Sequence, residues 1–293
     1  MTDKRSAAKD AVLKNRKSVS EHWSNAKYTR SIVAFIDVMG TKKLLLENPD
    51  DFDKHKTIFK IWNEIEQRIH QPEYRERIDE LYGDFPIKST LMSDGVVLSI
   101  DINVPDAFSY LFMEMGSFIY SLFSLCPPHF ARGAVTIGNL YHEDNIVFGP
   151  ALVEAHLLEK NIAKNFRFII RKSDFDEAQD FVGDNLKNFP MVYFPLDNDG
   201  YYTFDYLYRF FGAIDNWIEG GENPDLYLNI LNRIQKTAKY EAANNKDKGV
   251  RKKYMWMQKY FKRTLTQVLL NSDKDEYIWL KDAYEDWKKR DKN

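Results

Sequence analysis

The sequence predicts an α+β fold, with a sheet built by roughly the first two thirds of the chain and a helical C-terminal region after it. Three observations carry this expectation. Residues 32–38 (IVAFIDV) form a nearly unbroken apolar, β-rich run, the pattern of a strand buried on both faces. Residues 87–100 (IKSTLMSDGVVLSI) alternate, break at Asp94-Gly95 and turn apolar again, as a β-hairpin does. Beyond about Phe211 the apolar positions recur at helical spacing.

Taken in order, residues 3–25 read as a polar helix with a weak stripe of Ala7, Ala8, Val12 and Leu13. The strand at 32–38 ends in Asp-Val-Met-Gly, an acid at the end of a central strand. After Thr41, the spacing of Ile58, Ile61, Trp62, Ile65 and Ile69 predicts a helix, with a break at Gln71-Pro72 and a second helical piece to Tyr82. The hairpin follows. A helix from Pro105 stops before Pro127-Pro128 and puts Phe108, Leu111, Phe112, Met115, Ile119, Leu122 and Cys126 on one face. Phe130–Gly138 and Asn145–Phe148 read as strands, Gly149-Pro150 opens a helix over Ala151–Ala163, and Phe166–Ile170 is a further strand. Met191–Phe194 and Tyr201–Phe204 predict a closing hairpin around Asp197–Gly200. The order is β-α-α-β-β-α-β-β-α-β, with turn signals at Gly220-Gly221 and Asn244-Asn245 dividing the helical appendage. Three segments result: an N-terminal helix (1–28), a mixed domain (29–210) and a helical region (211–293).

Composition narrows the function classes. With 42 basic and 44 acidic residues, a net charge of −2 and 44% hydrophobic residues, the chain is neither a disordered tail nor a strongly basic nucleic-acid binder. A single cysteine, Cys126, excludes an intramolecular disulfide and multi-cysteine metal sites, fits a reducing compartment and is expected as a buried, inert thiol. The charged N-terminus lacks the apolar block of a signal peptide, and Glu114 and four serines interrupt the stretch 107–126, so a cytoplasmic protein without membrane contact is expected. Residues 246–263 mix lysines and arginines with aromatics, a pattern that can bind single strands. However, Tyr254, Met257, Phe261, Leu265 and Val268 form one helical stripe, which predicts core rings, solvated lysines and no direct nucleic-acid contact.

The chemistry centres on two acids. Asp37 and Asp94 lie 57 residues apart, yet each stands at a strand end, and sequential strands of one sheet tend to be neighbours. Two carboxylates held together on rigid strands suit a pair of hard divalent cations, Mg²⁺ or Mn²⁺, completed by water and substrate phosphates. The bland alternative is that Asp37 ends a strand and Asp94 fills an Asp-Gly turn.

FIDVMG (Phe35–Gly40), MSDGVVLSI (Met92–Ile100), ARGAVTIG (Ala131–Gly138) and FGPALVEAHLLE (Phe148–Glu159) occur in the order found in class III nucleotidyl cyclases. The chain resembles most the bacterial pyrimidine cyclases of the anti-phage Pycsar systems, through Gly149, Pro150, Ala151, Ala155, Leu158 and Glu159 and through the late block KKYMWMQKYF. The resemblance covers roughly residues 29 to 205 plus that block. It implies a palm-like sheet, a homodimer with active sites shared between subunits, and a second messenger made in the cytoplasm from a nucleoside triphosphate. It further implies that Asp37 and Asp94 hold two metal ions with help from the Val38 carbonyl, and that the backbone of Met39, Gly40 and Thr41 faces the triphosphate. Lys42 or Lys43 would add charge there, with a solvated lysine pair as the alternative. Arg132 would meet phosphate, with a surface ion pair as the alternative.

There are departures. The family's ribose-contacting Asn and transition-state Arg fall on Val153 and Leu157. Glu154 and His156 lie on neighbouring faces of that helix. Its adenine-reading Lys and Asp fall on Thr90 and Ile146, with Lys88 and Asn145 the nearest polar neighbours. A smaller pyrimidine ring contacted by Thr90 is therefore expected. UTP is favoured because uridylate cyclisation is the commoner activity among the proteins resembled, and CTP is second.

Overall fold

The computed structural model describes residues 26–47, 49–53, 55–56, 60, 62–63, 87–143, 145–180, 193–211, 224–270 and 285. The expected N-terminal helix, the break at Gln71-Pro72 with the helical piece after it, most of the Ile58–Ile69 stripe and the Gly220-Gly221 turn lie outside them. The strands are β1 (Thr29–Val38), β2 (Lys88–Leu91), β3 (Gly95–Asp101), β4 (Ala131–Glu143), β5 (Ile146–Phe148), β6 (Phe168–Arg171) and β7 (Tyr201–Thr203). The helices are α1 (Thr41–Glu47), α2 (Ala107–Ser124), α3 (Pro150–Asn161), α4 (Lys172–Gln179), α5 (Pro224–Asn244) and α6 (Lys248–Leu270).

The strands form one sheet in the order β2-β3-β1-β4-β6-β7, and β5 pairs with β4 off this path. Pairing is antiparallel except between β4 and β6. β1 is the central strand foreseen from its apolar run, and alternation gives it two different faces. Ile32, Ala34, Ile36 and Val38 join a large cluster with α2 and the C-terminal helices. Val33 and Phe35 meet Ala151 and Ala155 of α3 on the opposite side. The helices therefore cover the two faces unequally, and Asp37 emerges at the end of the face that α3 covers.

Several expectations change in detail. β4 runs on to Glu143, and a short helix, α4, follows β6. α4 buries only Asp174, Phe175 and Ala178, too few apolar positions for a periodic signal. The closing hairpin is reduced: among the described residues its first arm is a single bridge, Leu196 to Tyr202, rather than a strand, while Met191 and Val192 lie outside the described residues. Its turn is as expected, with Gly200 at φ 82° and Arg167 pairing with Asp197 at 2.7 Å and with Asp199. Cys126 is exposed, not buried, because α2 ends at Ser124 and the residues beyond no longer follow its apolar stripe.

The helical region is not an appendage. Tyr227, Ile230, Leu231 and Ile234 of α5 and Met257, Tyr260, Phe261, Leu265 and Val268 of α6 belong to the same core as the sheet. As the stripe predicts, the α6 aromatics serve packing: Tyr254 meets the Phe130 and Phe166 rings edge-on at 5.4 and 5.0 Å. A polar anchor fixes the docking. Buried Asp205 accepts hydrogen bonds from Tyr260 Oη (2.6 Å), the Tyr208 amide (3.0 Å) and the Thr264 hydroxyl (3.4 Å). No helix among the described residues is long and apolar enough to cross a membrane.

Removing Asp205 would strand the Tyr260 hydroxyl in a dry environment. Asp205→Ala is expected to lower unfolding stability by about 2 kcal/mol or more in urea titrations. A loss below about 0.5 kcal/mol would show that the anchor contributes nothing net.

Candidate active site

The site is built where β1 ends. Asp37 sits opposite Gly95 in the β1–β3 register and opposite Arg132 in the β1–β4 register. The Val38 amide donates to the Asp94 carbonyl at 2.8 Å, so the hairpin turn is tied directly to the strand carrying Asp37. Gly95 permits that approach, since a Cβ there would lie 2.3 Å from the Ile36 carbonyl oxygen. The two acids singled out in the sequence are thus brought next to each other at the end of β1.

Arg132 is held among carboxylates. Its Nε donates to Asp37 Oδ2 at 3.1 Å and its Nη1 donates to the Ala163 carbonyl at 3.2 Å. Its Nη2 lies 2.6 Å from Glu159 Oε1, an ion pair without hydrogen-bond alignment. The side chain is 18% exposed, so this is a mostly buried pairing and not the surface ion pair of the bland alternative. Burial raises the Asp37 pKa, Arg132 opposes the rise and Asp94 adds to it. Glu159, whose side chain is 4% exposed, is pushed up to about 7 by burial, against the pull of Arg132.

Glu159 was named in the sequence only as part of a motif, and the structure supplies its role. Ala151, Ala155 and Glu159 recur every fourth residue along the buried side of α3. A Cβ at Gly138 would touch Ala151 Cβ at 3.3 Å, and Gly149, at φ 149°, lies where a Cβ would meet the Asn139 carbonyl oxygen at 2.6 Å. Small residues bring the helix down on the sheet, and Glu159 then reaches Arg132.

The phosphate-facing segment is modified. The Met39 amide is committed to the Phe130 carbonyl at 2.8 Å, so it is not free to meet an anion. The Thr41 hydroxyl donates to the Val38 carbonyl at 3.0 Å, the same oxygen expected to help a metal. Gly40 turns the chain at φ 95°. Lys42 and Lys43 are exposed, as the solvated alternative has it, and Lys43 lies 3.9 Å from Glu47.

Thr90 belongs to a relay that the sequence did not disclose. Its hydroxyl lies 2.9 Å from Nε2 of buried His142, whose Nδ1 lies 2.7 Å from the Ser99 hydroxyl. Burial and the nearby Lys88 push His142 down to about 4, which leaves a neutral ring with one donor and one acceptor nitrogen. Lys88 donates to the His142 carbonyl at 2.8 Å and to Glu143 at 2.7 Å. Asn145 and Ile146 are exposed.

On α3, Val153 and Leu157 are 58% and 49% exposed, Glu154 pairs with Arg171 at 2.7 Å, and His156 rests edge-on against Phe35 at 5.0 Å. From α6, Lys253 is half-buried, and burial, then Arg132, lowers its pKa against the pull of Asp37, Glu159 and Asp247. The sequence grouped it with solvated lysines. Its signal was spacing: Lys253 leads the line Met257, Tyr260 and Thr264, all buried.

Among the described residues no cluster of three or more His, Cys, Asp or Glu side chains is arranged to hold a metal ion by itself. Asp37 and Asp94 do suit a hard cation that draws its remaining ligands from phosphate and water, because such ions in phosphoryl chemistry are commonly held by one or two carboxylates.

No family model and no curated protein matches the chain. Among solved structures, a bacterial light-regulated adenylyl cyclase is 15% identical over 53% of this chain and 81% of its own, with a TM-score of 0.36. An adenylate/guanylate cyclase/hydrolase from Silicibacter pomeroyi is 15% identical over 61% of this chain and 95% of its own, with a TM-score of 0.35. Likeness at this level assigns neither family nor activity.

The raised Glu159 pKa gives a pH prediction. The folded chain retains a proton that the unfolded chain loses near 4.5, so this group's contribution to stability falls as pH rises from about 4.5 to about 7. In Glu159→Gln that component is gone, and melting temperature is expected to vary less between pH 5 and 7 than in wild type. Parallel curves would remove Glu159 as their cause.

Proposed function

We propose that the chain is a nucleotidyl cyclase that converts UTP to 3′,5′-cyclic UMP and pyrophosphate, as a second messenger of anti-phage defence. The observation that carries the reading is the junction of Asp37 and Asp94 at the end of β1, with Arg132 beside them. In the reaction the ribose 3′-oxygen forms a bond to the α-phosphorus while the bond to the pyrophosphate oxygen breaks. Asp37 and Asp94, helped by the Val38 carbonyl, would hold Mn²⁺ or Mg²⁺. Divalent cations bound there would lower the pKa of the 3′-hydroxyl and offset charge on the leaving group. The Gly40 and Thr41 backbone and Lys42 would face the triphosphate.

Arg132 would move from Asp37 toward phosphate when cations neutralise that acid, and Thr90 would contact the base. Both donor states of Thr90 are open, because Ser99 and Thr90 take opposite roles on a neutral His142. That keeps CTP as the second substrate, while Lys88, the nearest basic group for a purine contact, is engaged by Glu143. A homodimer with shared sites fits the solvent-facing Val153, Leu157 and Phe148, an apolar surface that a second copy would cover. A second reading, a nucleotide-binding cyclase fold without turnover, is favoured by the same Val153 and Leu157, which stand where the family has its ribose and transition-state contacts.

Incubation with equal UTP, CTP, ATP and GTP and Mn²⁺, with products separated by mass, is expected to give cyclic UMP. Cyclic CMP would overturn only the choice of uracil, whereas a purine product would overturn the pyrimidine reading. Asp37→Ala and Asp94→Ala are each expected to abolish turnover in a folded chain. Retention of more than about a tenth of the rate, about 1.4 kcal/mol of barrier, would defeat the metal assignment.

Arg132→Ala is expected to lower kcat more than it raises KM, because a guanidinium at the α-phosphate acts most strongly as charge builds. An unchanged kcat, with folding verified by near-UV circular dichroism, would leave Arg132 as a structural ion pair.

A further inference from the structure

β4 outruns its pairing with β1, which closes at Leu140 opposite Thr29, and Tyr141–Glu143 pair with β5 instead. This arm carries His142 over to Ser99 of β3 and Thr90 of β2. Lys88 fastens it there, donating to the His142 carbonyl at 2.8 Å and to Glu143 at 2.7 Å.

The relay opens on the face that carries the acids. Residues directly opposite one another in a sheet share a face. Ser99 stands opposite Val33 and Lys88, and Val97 opposite Phe35 and Thr90. Val33, Phe35 and Val97 lie on the side that α3 covers, and Asp37 follows Phe35 by one alternation along β1. Thr90 is therefore two strand spacings, about 10 Å, to the side of the Phe35–Asp37 row.

Burial and the nearby Lys88 keep His142 neutral, so its ring has one N–H and one lone pair. Of the two hydroxyls, one donates to the ring and the other accepts from it. Their unequal burial decides which. Ser99 is 2% exposed, and its hydroxyl has no other partner among the described residues. If Ser99 accepted from Nδ1, its own proton would be stranded in a dry interior. Thr90 is only half-buried, so its proton is not stranded when it points outward. Ser99 therefore donates to Nδ1, Nε2 carries the ring proton, and Thr90 accepts it. The Thr90 hydroxyl has no second partner among the described residues, which leaves its own proton to be presented to the outside. Uracil offers an acceptor at O4 where cytosine offers the N4 amine, a donor.

We propose that His142 is a positioning residue for base selection: by giving its Nε2 proton to Thr90 it makes that hydroxyl an outward donor, matched to O4 of uracil and opposed by the N4 amine of cytosine. This rests on the reading of Thr90 as the base contact. It supplies a reason within the fold for UTP over CTP, where the threonine alone serves either base.

Two measurements on the full chain test it. Long-range proton–nitrogen NMR correlation of histidine-labelled protein locates the ring proton of His142, whose signals are identified by their loss in the Ser99→Ala/His142→Leu double variant. The proton is expected on Nε2. Calorimetric titration with the α,β-methylene analogues of UTP and CTP, whose bridging bond does not break, reports the selection without turnover. Wild type is expected to bind the uridine analogue about tenfold more tightly than the cytidine analogue. The double variant replaces both buried partners by apolar groups and frees the Thr90 hydroxyl to rotate, so this ratio is expected to fall to within about twofold of one. A purely structural role would weaken both analogues in proportion and leave the ratio unchanged.

A ring protonated on Nδ1 overturns the proposal, as does an unchanged ratio in the double variant or a wild type that does not favour the uridine analogue. A double variant that fails to fold leaves the ring proton and the wild-type ratio as the deciding pair. Nucleotide turnover with a ratio indifferent to the double variant overturns this inference alone. A chain that neither binds an analogue nor turns over any nucleotide overturns the parent reading along with it.

Discussion

The antiparallel pairing of β1 with β3 on one side and β4 on the other is the constraint from which the site follows. A strand hydrogen-bonded on both edges cannot slip without turning its apolar side chains to the wrong face. Ile32, Ala34 and Ile36 are fully buried on one face and Val33 on the other, so the register is fixed from both directions. Once it is fixed, Asp37 must stand opposite Arg132 and next to the turn carrying Asp94. The charged groups are positioned by the burial of residues that have no chemistry of their own.

The local charge balance is then close to neutral. Asp37, Asp94 and Glu159 face Arg132 and Lys253, and partial protonation of Glu159 near neutral pH moves the sum further toward zero. Such a site is tolerable at the edge of a core, where an unmatched buried charge would be costly. On the proposed function, a divalent cation at Asp37 would compete with the Arg132 guanidinium and leave it for an incoming phosphate.

Much of this was legible in the sequence, for reasons that can be stated residue by residue. The β1 run and the Asp94-Gly95 turn depend on local rules, burial on two faces and a turn type, whereas the α3 motif was legible through its resemblance to class III cyclases. Asp37 and Asp94 could be paired because strand ends of one sheet tend to gather. What stayed hidden depended on contacts between distant segments. His142 carries no local signal, because its meaning comes from Ser99 and Thr90 on two other strands. Glu159 was visible as a motif letter, but its partner lies across the helix–sheet interface. The Met39 amide was expected to face phosphate from the resemblance to class III cyclases, and only the approach of Phe130 shows it to be committed. Cys126 was misjudged because an apolar stripe was extended past the end of its helix.

The C-terminal helices were the part least interpretable from composition, and they change how the fold is understood. A helical region joined to a sheet is free to drift when its interface is small and polar. Here the interface is neither, since α6 buries Met257, Phe261, Leu265 and Val268 in the sheet's own core. Asp205, just before the helical turn that starts at Tyr206, binds Tyr260 and Thr264. Tyr260 in turn donates nothing elsewhere but accepts from the Leu207 amide at 3.2 Å. These bonds set the rotation of α6 about its axis, because a turn of one residue would carry Tyr260 off Asp205 and Tyr254 off Phe130 together. The same rotation decides which lysine of the basic run points inward. The buried carboxylate of Asp205 therefore determines that Lys253, and not Lys252, lies on the inward side of α6.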